Sequence, residues 1–350
     1  MSRALNTAYT QQNNSGASAP FDAGKNKILN GDFNINQRSF TSITNNGYGH
    51  DRWLQVRTNG TVTYSTETFT LGSAPVAGYE SKNFARQVVS GHTGSATDYA
   101  VLVQRIESVR ILANQTAVVS FWAKAASGTP KVAVTLRQSF GTGGSPSSDV
   151  DTHAGQVTLS TSWARYSVKV TIPSIAGKTL GTANDDQLAL YFFTSAGSNY
   201  NSITGSLGYQ NNTFDIWGVQ LEAGSVATPF STATGNPASE LAACQRYYWR
   251  NTPSAGGAQY WAQGRTTSVA DCLIQFPVTM RANPSAVEYG GTWSLTDPNV
   301  NSYSMSSIAF VNATTYNSLI QVTTSVNLAQ GKMYSLGHGA NAYLGFSAEL

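Results

Sequence analysis

DRWLQVRTNGTVTYSTETF, residues 51–69, sets Asn59-Gly60 between two runs rich in β-branched and aromatic residues. Both central residues of a type I′ turn need positive φ, which Asn and Gly tolerate best, so the stretch predicts a β-hairpin. The same kind of run recurs downstream: FARQVVS (84–90), YAVLVQRIE (99–107), TAVVSFWAKA (116–125), KVAVTLRQ (131–138), ARYSVKVTIP (164–173), QLALYFFT (187–194) and FDIWGVQLE (214–222). Several alternate apolar and polar residues, as half-buried strands do, whereas LALYFF is apolar on both faces and reads as central. Roughly eight or nine such strands predict a two-sheet sandwich, a jelly roll. GTGGSPSSDVD (141–151) and SAGSNYNSITGSLGY (195–209) read as its long loops.

FDIWGVQLEAGSVATPF (214–230) closes that sandwich: an interior strand that leaves through a Gly-Ser turn, with TATGN (232–236) as the boundary. In NPASELAACQRYYWR the period changes. Asn236 can cap a helix with Pro237 at its first position, and Leu241, Cys244 and Tyr248 fall on one face. AQYWAQGR, VADCLIQFPVTM, SAVEYGG, SYSMSSIAFVN, YNSLIQVTTSVNL and AYLGFSAEL then return to strands. The expected chain is therefore all-β. An arm or linker occupies 1–24 and a jelly-roll β-sandwich 25–231. A smaller β-sandwich-like domain follows over 232–350, with a short helix near 237–249.

Only 11% of the 350 residues are charged, against a usual share of about 25%, while 41% are hydrophobic. A core can be filled, and Ser, Thr, Asn, Gln and Gly must supply solubility. A net charge of +3 without a dense basic run argues against nucleic-acid binding. No apolar run approaches the roughly 18 residues of a membrane span, and the opening residues carry no signal-peptide core. Cys244 and Cys272 do not make a disulfide scaffold; a bridge or two separately buried thiols are both open. The composition fits a protein made in a reducing cytoplasm and used outside it.

Catalytic motifs are not found: no G-x-S-x-G elbow, no P-loop, no H-E-x-x-H. His50, His92, His153 and His338 are scattered. Asp185-Asp186 reads as a solvated turn rather than a glycosidase pair, whose carboxyls would stand about 5–9.5 Å apart. Asp215, alone among apolar residues, must be paired, hydrogen-bonded or metal-bound.

NKILNGDFNINQRSF (26–40), DRW (51–53), SFWAKA (120–125), SWARYSVKVTIP (162–173) and FDIWGVQLEAGSVATPF resemble the carbohydrate-binding-module-like jelly roll of bacteriophage tail-fibre proteins. ELAACQRYYWR, FPVTMRANP and YLGFSAEL resemble the small C-terminal β-domain that follows it there. The resemblance implies a virion receptor-binding protein, made in the host cytoplasm and commonly a homotrimer. It would join other virion proteins through the N-terminal arm and bind host surface polysaccharide during adsorption. It implies no required cofactor and no enzymatic activity, though such modules often hold a structural calcium, whose matching positions here are Asp32 and Asp215. The alternative for Asp215 is pairing with Arg or Lys, or with backbone N–H groups at a strand end; Asp32 would then make an Asx turn. Sugars stack their C–H faces on aromatic rings, and Tyr289, Trp293 and Tyr303, in a Gly/Asn/Pro-rich stretch, are the candidate glycan contacts. An architectural collar, spacer or head-decoration protein is the rival reading, and a polysaccharide depolymerase the third.

Overall fold

A strand rich in Val, Ile, Phe, Tyr and Trp is stable only when its apolar side is covered, and a second sheet is one way to cover it. A computed structural model describes residues 24–253, 257–325 and 327–350; the expected arm, save Gly24, lies outside them. One compact unit runs to Leu241 and takes in Leu350, and the other is Ala242–Glu349.

The first unit holds β1 (Ser42–Ile43), β2 (Gly47–Tyr48), β3 (Trp53–Thr58), β4 (Thr61–Thr68), β5 (Asn83–Ser90), β6 (Tyr99–Glu107), β7 (Thr116–Ala125), β8 (Lys131–Ser139), β9 (Val150–Thr158), β10 (Ala164–Thr171), β11 (Gln187–Ala196) and β12 (Asn212–Ala223). They form two antiparallel six-stranded sheets, β1-β4-β5-β12-β7-β10 and β2-β3-β6-β11-β8-β9. This is the expected sandwich. Trp53, Tyr64, Phe121, Phe192, Phe214 and Trp217 fill the space between the sheets.

Two local expectations are corrected. Asn59 and Gly60 do take paired positive φ values of 55° and 60°. Yet β3 pairs with β2 and β6, and β4 with β1 and β5, so the turn hands the chain from one sheet to the other and makes no hairpin. Turn chemistry fixed the turn, but packing chose the partners: Trp53 on β3 and Val62 and Tyr64 on β4 reach the same core from opposite walls. β9 was not foreseen and takes up the end of an expected loop. It is an edge strand, half-buried along almost its whole length, so its sequence shows no alternation to detect.

β12 is interior, between β5 and β7. It pairs with β5 only over Asn212–Ile216, and a register shift follows between Trp217 and Gln220. Beyond the shift the entry segment supplies its partners. Val219 N donates to Gly31 O (2.8 Å), Lys27 N to Leu221 O (2.9 Å), and Asn26 Nδ2 to Val219 O (3.1 Å). Here glycine is required, since a Cβ on Gly31 would stand 2.2 Å from Val219 O.

Helix α1 (Asn201–Thr204) lies in the loop before β12, and α2 (Pro237–Gln245) follows the sandwich. Asn236 caps α2 as expected, its Oδ1 accepting from Ser239 N at 2.8 Å. The apolar face expected on this helix is not formed: Leu241 is exposed, and Tyr248 belongs to the next strand.

That strand opens the second unit: β13 (Tyr248–Asn251), β14 (Gly257–Gly264), β15 (Val269–Gln275), β16 (Glu288–Gly290), β17 (Trp293–Thr296), β18 (Ser302–Ala313), β19 (Asn317–Thr324), β20 (Met333–His338) and β21 (Tyr343–Ser347). Six of these close into a barrel, β14-β15-β19-β18-β17-β20, beside a three-stranded sheet β13-β21-β16. The smaller β-domain is thus a barrel where a sandwich-like arrangement was expected. Register shifts in the pairing of β18 with β19, at Met305/Ser307 and Phe310/Asn312, bend β18 and help the sheet close. Cys244 and Cys272 are both buried and form no disulfide.

Candidate functional site

The site is built on the outer face of the β2-β3-β6-β11-β8-β9 sheet. Strand alternation sends Ala100 and Leu102 of β6, and Leu188, Leu190 and Phe192 of β11, into the sandwich. Their neighbours Val101, Val103, Ala189, Tyr191 and Phe193 turn outward. Register lines these up across the sheet. One row runs Leu54, Val103, Tyr191, Thr135; the next runs Val56, Val101, Phe193, Ala133; a third runs Arg105, Ala189, Arg137, Asp151.

An outer face of an antiparallel sheet is ordinarily polar. This one is apolar, so something must cover it, and the segment after β11 covers part. Tyr200, Ile203 and Leu207 pack on the outer cluster. Side chains from β8 and β9 hold the segment down by its carbonyls: Thr135 Oγ1 donates to Ile203 O (2.5 Å), His153 Nδ1 lies 3.0 Å from the same oxygen, and Gln156 Nε2 donates to Thr204 O (2.6 Å). The remainder is an open cleft of about 410 Å³, with Val101, Val103 and Phe193 among its floor residues. Tyr99, Tyr191 and Tyr200 line it, and Arg105 and Arg137 stand on its polar side.

The aromatic rings support one another. Tyr191 stacks on Phe193 at 5.9 Å and 14°, and Tyr99 meets Tyr200 edge-on at 4.9 Å. Arg137 is fixed by a bidentate pair with Asp151, Nε to Oδ1 at 2.7 Å and Nη2 to Oδ2 at 2.8 Å. Its guanidinium carbon lies 5.4 Å from the Tyr191 ring centroid. The Asp151 hydrogen bonds hold Arg137 protonated far above any working pH. Burial raises the Tyr191 phenol, with Arg137 and Arg105 opposing that rise, and burial raises Tyr200 as well. Arg105 donates through Nη1 to the main-chain oxygen of Leu350, and its Nε is buried without a hydrogen-bond partner among the described residues. The cleft therefore offers neutral phenols, aromatic faces and fixed guanidinium donors. Asp151 spends both oxygens on Arg137, and Asp149 stands 3.9 Å from it.

The residues expected to contact glycan lie elsewhere and do not form a shared platform. Trp293 begins β17, is 4% exposed, and donates Nε1 to Gly290 O at 3.0 Å. Alternation along β17 puts Trp293 and Leu295 inside the barrel, so the indole presents no face to a sugar. Tyr303, on β18, packs edge-on against Tyr334 at 5.6 Å, with its hydroxyl 3.3 Å from Asp297 Oδ2. Tyr289 is exposed, but on β16 of the three-stranded sheet.

The calcium expectation meets a donor set that does not suit it. Arg86 Nε donates to Asp215 Oδ1 (2.7 Å) and Nη2 to Oδ2 (2.9 Å), with Lys124 Nζ 3.6 Å from Oδ2. A carboxylate held by a guanidinium fork and an ammonium is not a cation ligand. Asp32 instead accepts from Asn34 Nδ2 (2.7 Å) and the Tyr79 hydroxyl (2.6 Å) through Oδ2. Among the described residues no group of three His, Cys, Asp or Glu side chains could hold a metal. Asp185 and Asp186 are loop staples rather than a solvated turn: Asp185 accepts from Thr142 N and Oγ1, and Asp186 from Val109 N.

No protein-family model matches the chain, and no curated protein sequence matches it. Several solved structures align with part of the chain. The enzymatically active domain of tailspike protein 4 of bacteriophage CBA120 aligns over 57% of this chain at 14% identity and TM-score 0.34. The chain spans about a fifth of that domain, 21% of its length. The family 11 carbohydrate-binding module of Clostridium thermocellum, solved with a β-1,3-1,4-mixed-linked tetrasaccharide, aligns over 55% of this chain and 99% of its own, at 11% identity and TM-score 0.30. A cyclase from Fischerella sp. TAU aligns over 57% and 97%, at 16% identity and TM-score 0.35. At such identities and scores these likenesses carry no functional weight, and function rests on the site itself.

Proposed function

We propose that the chain is a bacteriophage virion subunit, a tail fibre or spike, whose sandwich binds a host-surface glycan in the cleft of Tyr99, Tyr191, Tyr200, Arg105 and Arg137. One observation carries the reading: an apolar, aromatic outer sheet face left partly uncovered, with fixed guanidinium groups at its side. A sugar ring suits such a surface, laying C–H groups on the tyrosines and hydroxyls toward the guanidinium donors. The role is binding without bond cleavage. The virion assignment rests on the sequence motifs, and a homotrimer would turn weak single-site affinity into firm attachment by multivalency.

The test is binding of the full chain to immobilised bacterial surface polysaccharides. Tyr191→Ala should weaken the best ligand by about tenfold, the loss of one stacking ring. Arg137→Ala should weaken it similarly while leaving the Tyr191 ring in place. No retention of any polysaccharide would favour the architectural reading. Release of reducing ends would make the protein a depolymerase.

A further inference from the structure

A second cavity, of about 340 Å³, sits in the first unit where the entry segment meets the start of α2, and shares no residue with the glycan cleft. Ile35, Tyr79 and Pro237 give it apolar walls, and Asp32 and Glu240 both line it. These carboxylates are 5% and 2% exposed. A buried carboxylate ordinarily has a cationic partner, as Asp215 does here. Asp32 and Glu240 have none among the described residues: every hydrogen bond they accept comes from a neutral donor.

The two acids are not equivalent. Glu240 is fully used, with Oε1 accepting from Asn30 N (2.7 Å) and Oε2 from Thr234 N (3.0 Å) and Oγ1 (2.7 Å). It also stands in the first turn of α2, where the helix dipole offsets about half a charge. Burial, with Asp32 adding to it, raises the Glu240 carboxyl, and burial beside Asp32 raises the Tyr79 phenol. Asp32 places both its bonds on Oδ2 and accepts none on Oδ1 from the described residues. Asp32 thus lines the cavity with its Oδ1 unpartnered among the described residues, in a setting of net negative charge.

We infer that this cavity binds a small organic cation: a primary ammonium on a short apolar body, its charge on Asp32 Oδ1 and its carbon chain against Ile35, Tyr79 and Pro237. A single positive charge brings the site near neutrality. A divalent metal fits less well, because calcium needs 6–8 oxygen ligands and the oxygens of Glu240 are already committed.

The probe is n-butylammonium chloride, titrated into the full chain by calorimetry and by saturation-transfer NMR, with n-butanol and calcium chloride as comparators. Butylammonium should bind saturably with a Kd of about 1 mM, within the ceiling for so small a ligand. Butanol should bind at least about tenfold more weakly, and Asp32→Asn should cost butylammonium about tenfold, the loss of one charge-assisted contact. Glu240→Gln, which keeps the acceptor of the Asn30 bond, should weaken binding less than Asp32→Asn does and carries the test if the latter fails to fold. The proposal is overturned if butylammonium shows no saturable binding, if butanol binds equally well, if neither variant changes the affinity, or if calcium binds in its place.

Discussion

Asp215 shows how a single side chain can mislead and then instruct. An acid within an apolar run must find a partner, and the partner is Arg86, directly opposite it on β5. The sequence alone favours pairing over a metal but cannot name the partner, because a cross-strand neighbour 129 residues away leaves no local trace. His50 makes a similar point and yields a prediction. Its ring is fully buried, hydrogen-bonded to the Tyr64 hydroxyl (2.7 Å) and Thr66 Oγ1 (2.9 Å), and edge-on to Phe33 and Phe40. Burial lowers its pKa from 6.5 to about 3. Below pH 6.5 the unfolded chain therefore takes up a proton that the folded chain refuses until about pH 3. Stability is fully present above that window and falls with acidification through it, by up to about 1.4 kcal/mol per pH unit. The neighbouring Asp51, raised by burial, works in the opposite sense over the carboxylate range, since its unfolded form releases its proton first. The informative quantity is therefore the difference in pH slope between the wild type and His50→Gln in urea melts. A wild-type slope no steeper than the variant's would refute the assignment.

At the scale of elements, sequence pattern located most of the sandwich strands because period-2 burial is a local signal, from β5 at Asn83–Ser90 to β12 at Asn212–Ala223. It failed where burial carries no contrast, as along β9, and where a local preference says nothing about partners, as at Asn59-Gly60. The cleft was half legible. YAVLVQRIE and QLALYFFT are both apolar on two faces, a pattern that in LALYFF reads only as centrality. Their second face is the cleft floor, which Tyr200, Ile203 and Leu207 cover only in part. Tyr99, Tyr191, Arg105 and Arg137 converge only once three strands are in register. The element-scale prediction concerns the join between the entry segment and β12. Gly31→Ala places a methyl 2.2 Å from Val219 O, against backbone that cannot swing aside. It should destabilise the sandwich by about 2 kcal/mol or more in urea denaturation. Gly47→Ala, whose methyl would meet only Ile43 Cδ1 at 3.6 Å, should cost under about 0.5 kcal/mol.

For the whole molecule, the decisive feature is that the chain has separate cores. One, around Trp53, Phe192 and Trp217, lies in the first unit; another, around Trp293, Tyr334 and Phe346, lies in the second. Units with independent cores commonly unfold as independent cooperative steps, so calorimetry should resolve two transitions. The cleft proposed to bind glycan is built wholly from first-unit residues. A ligand that binds only the folded sandwich stabilises it by RT ln(1 + [L]/Kd), about 2.7 kcal/mol at a hundredfold excess over Kd. Saturating glycan should therefore move the sandwich transition upward by several degrees and leave the barrel transition where it was. Tyr191→Ala, with its roughly tenfold weaker Kd, should cut that shift to about half at the same ligand concentration. Movement of the barrel transition alone would transfer the binding surface to the second unit, where Tyr289 is exposed, and the cleft would lose its assigned role.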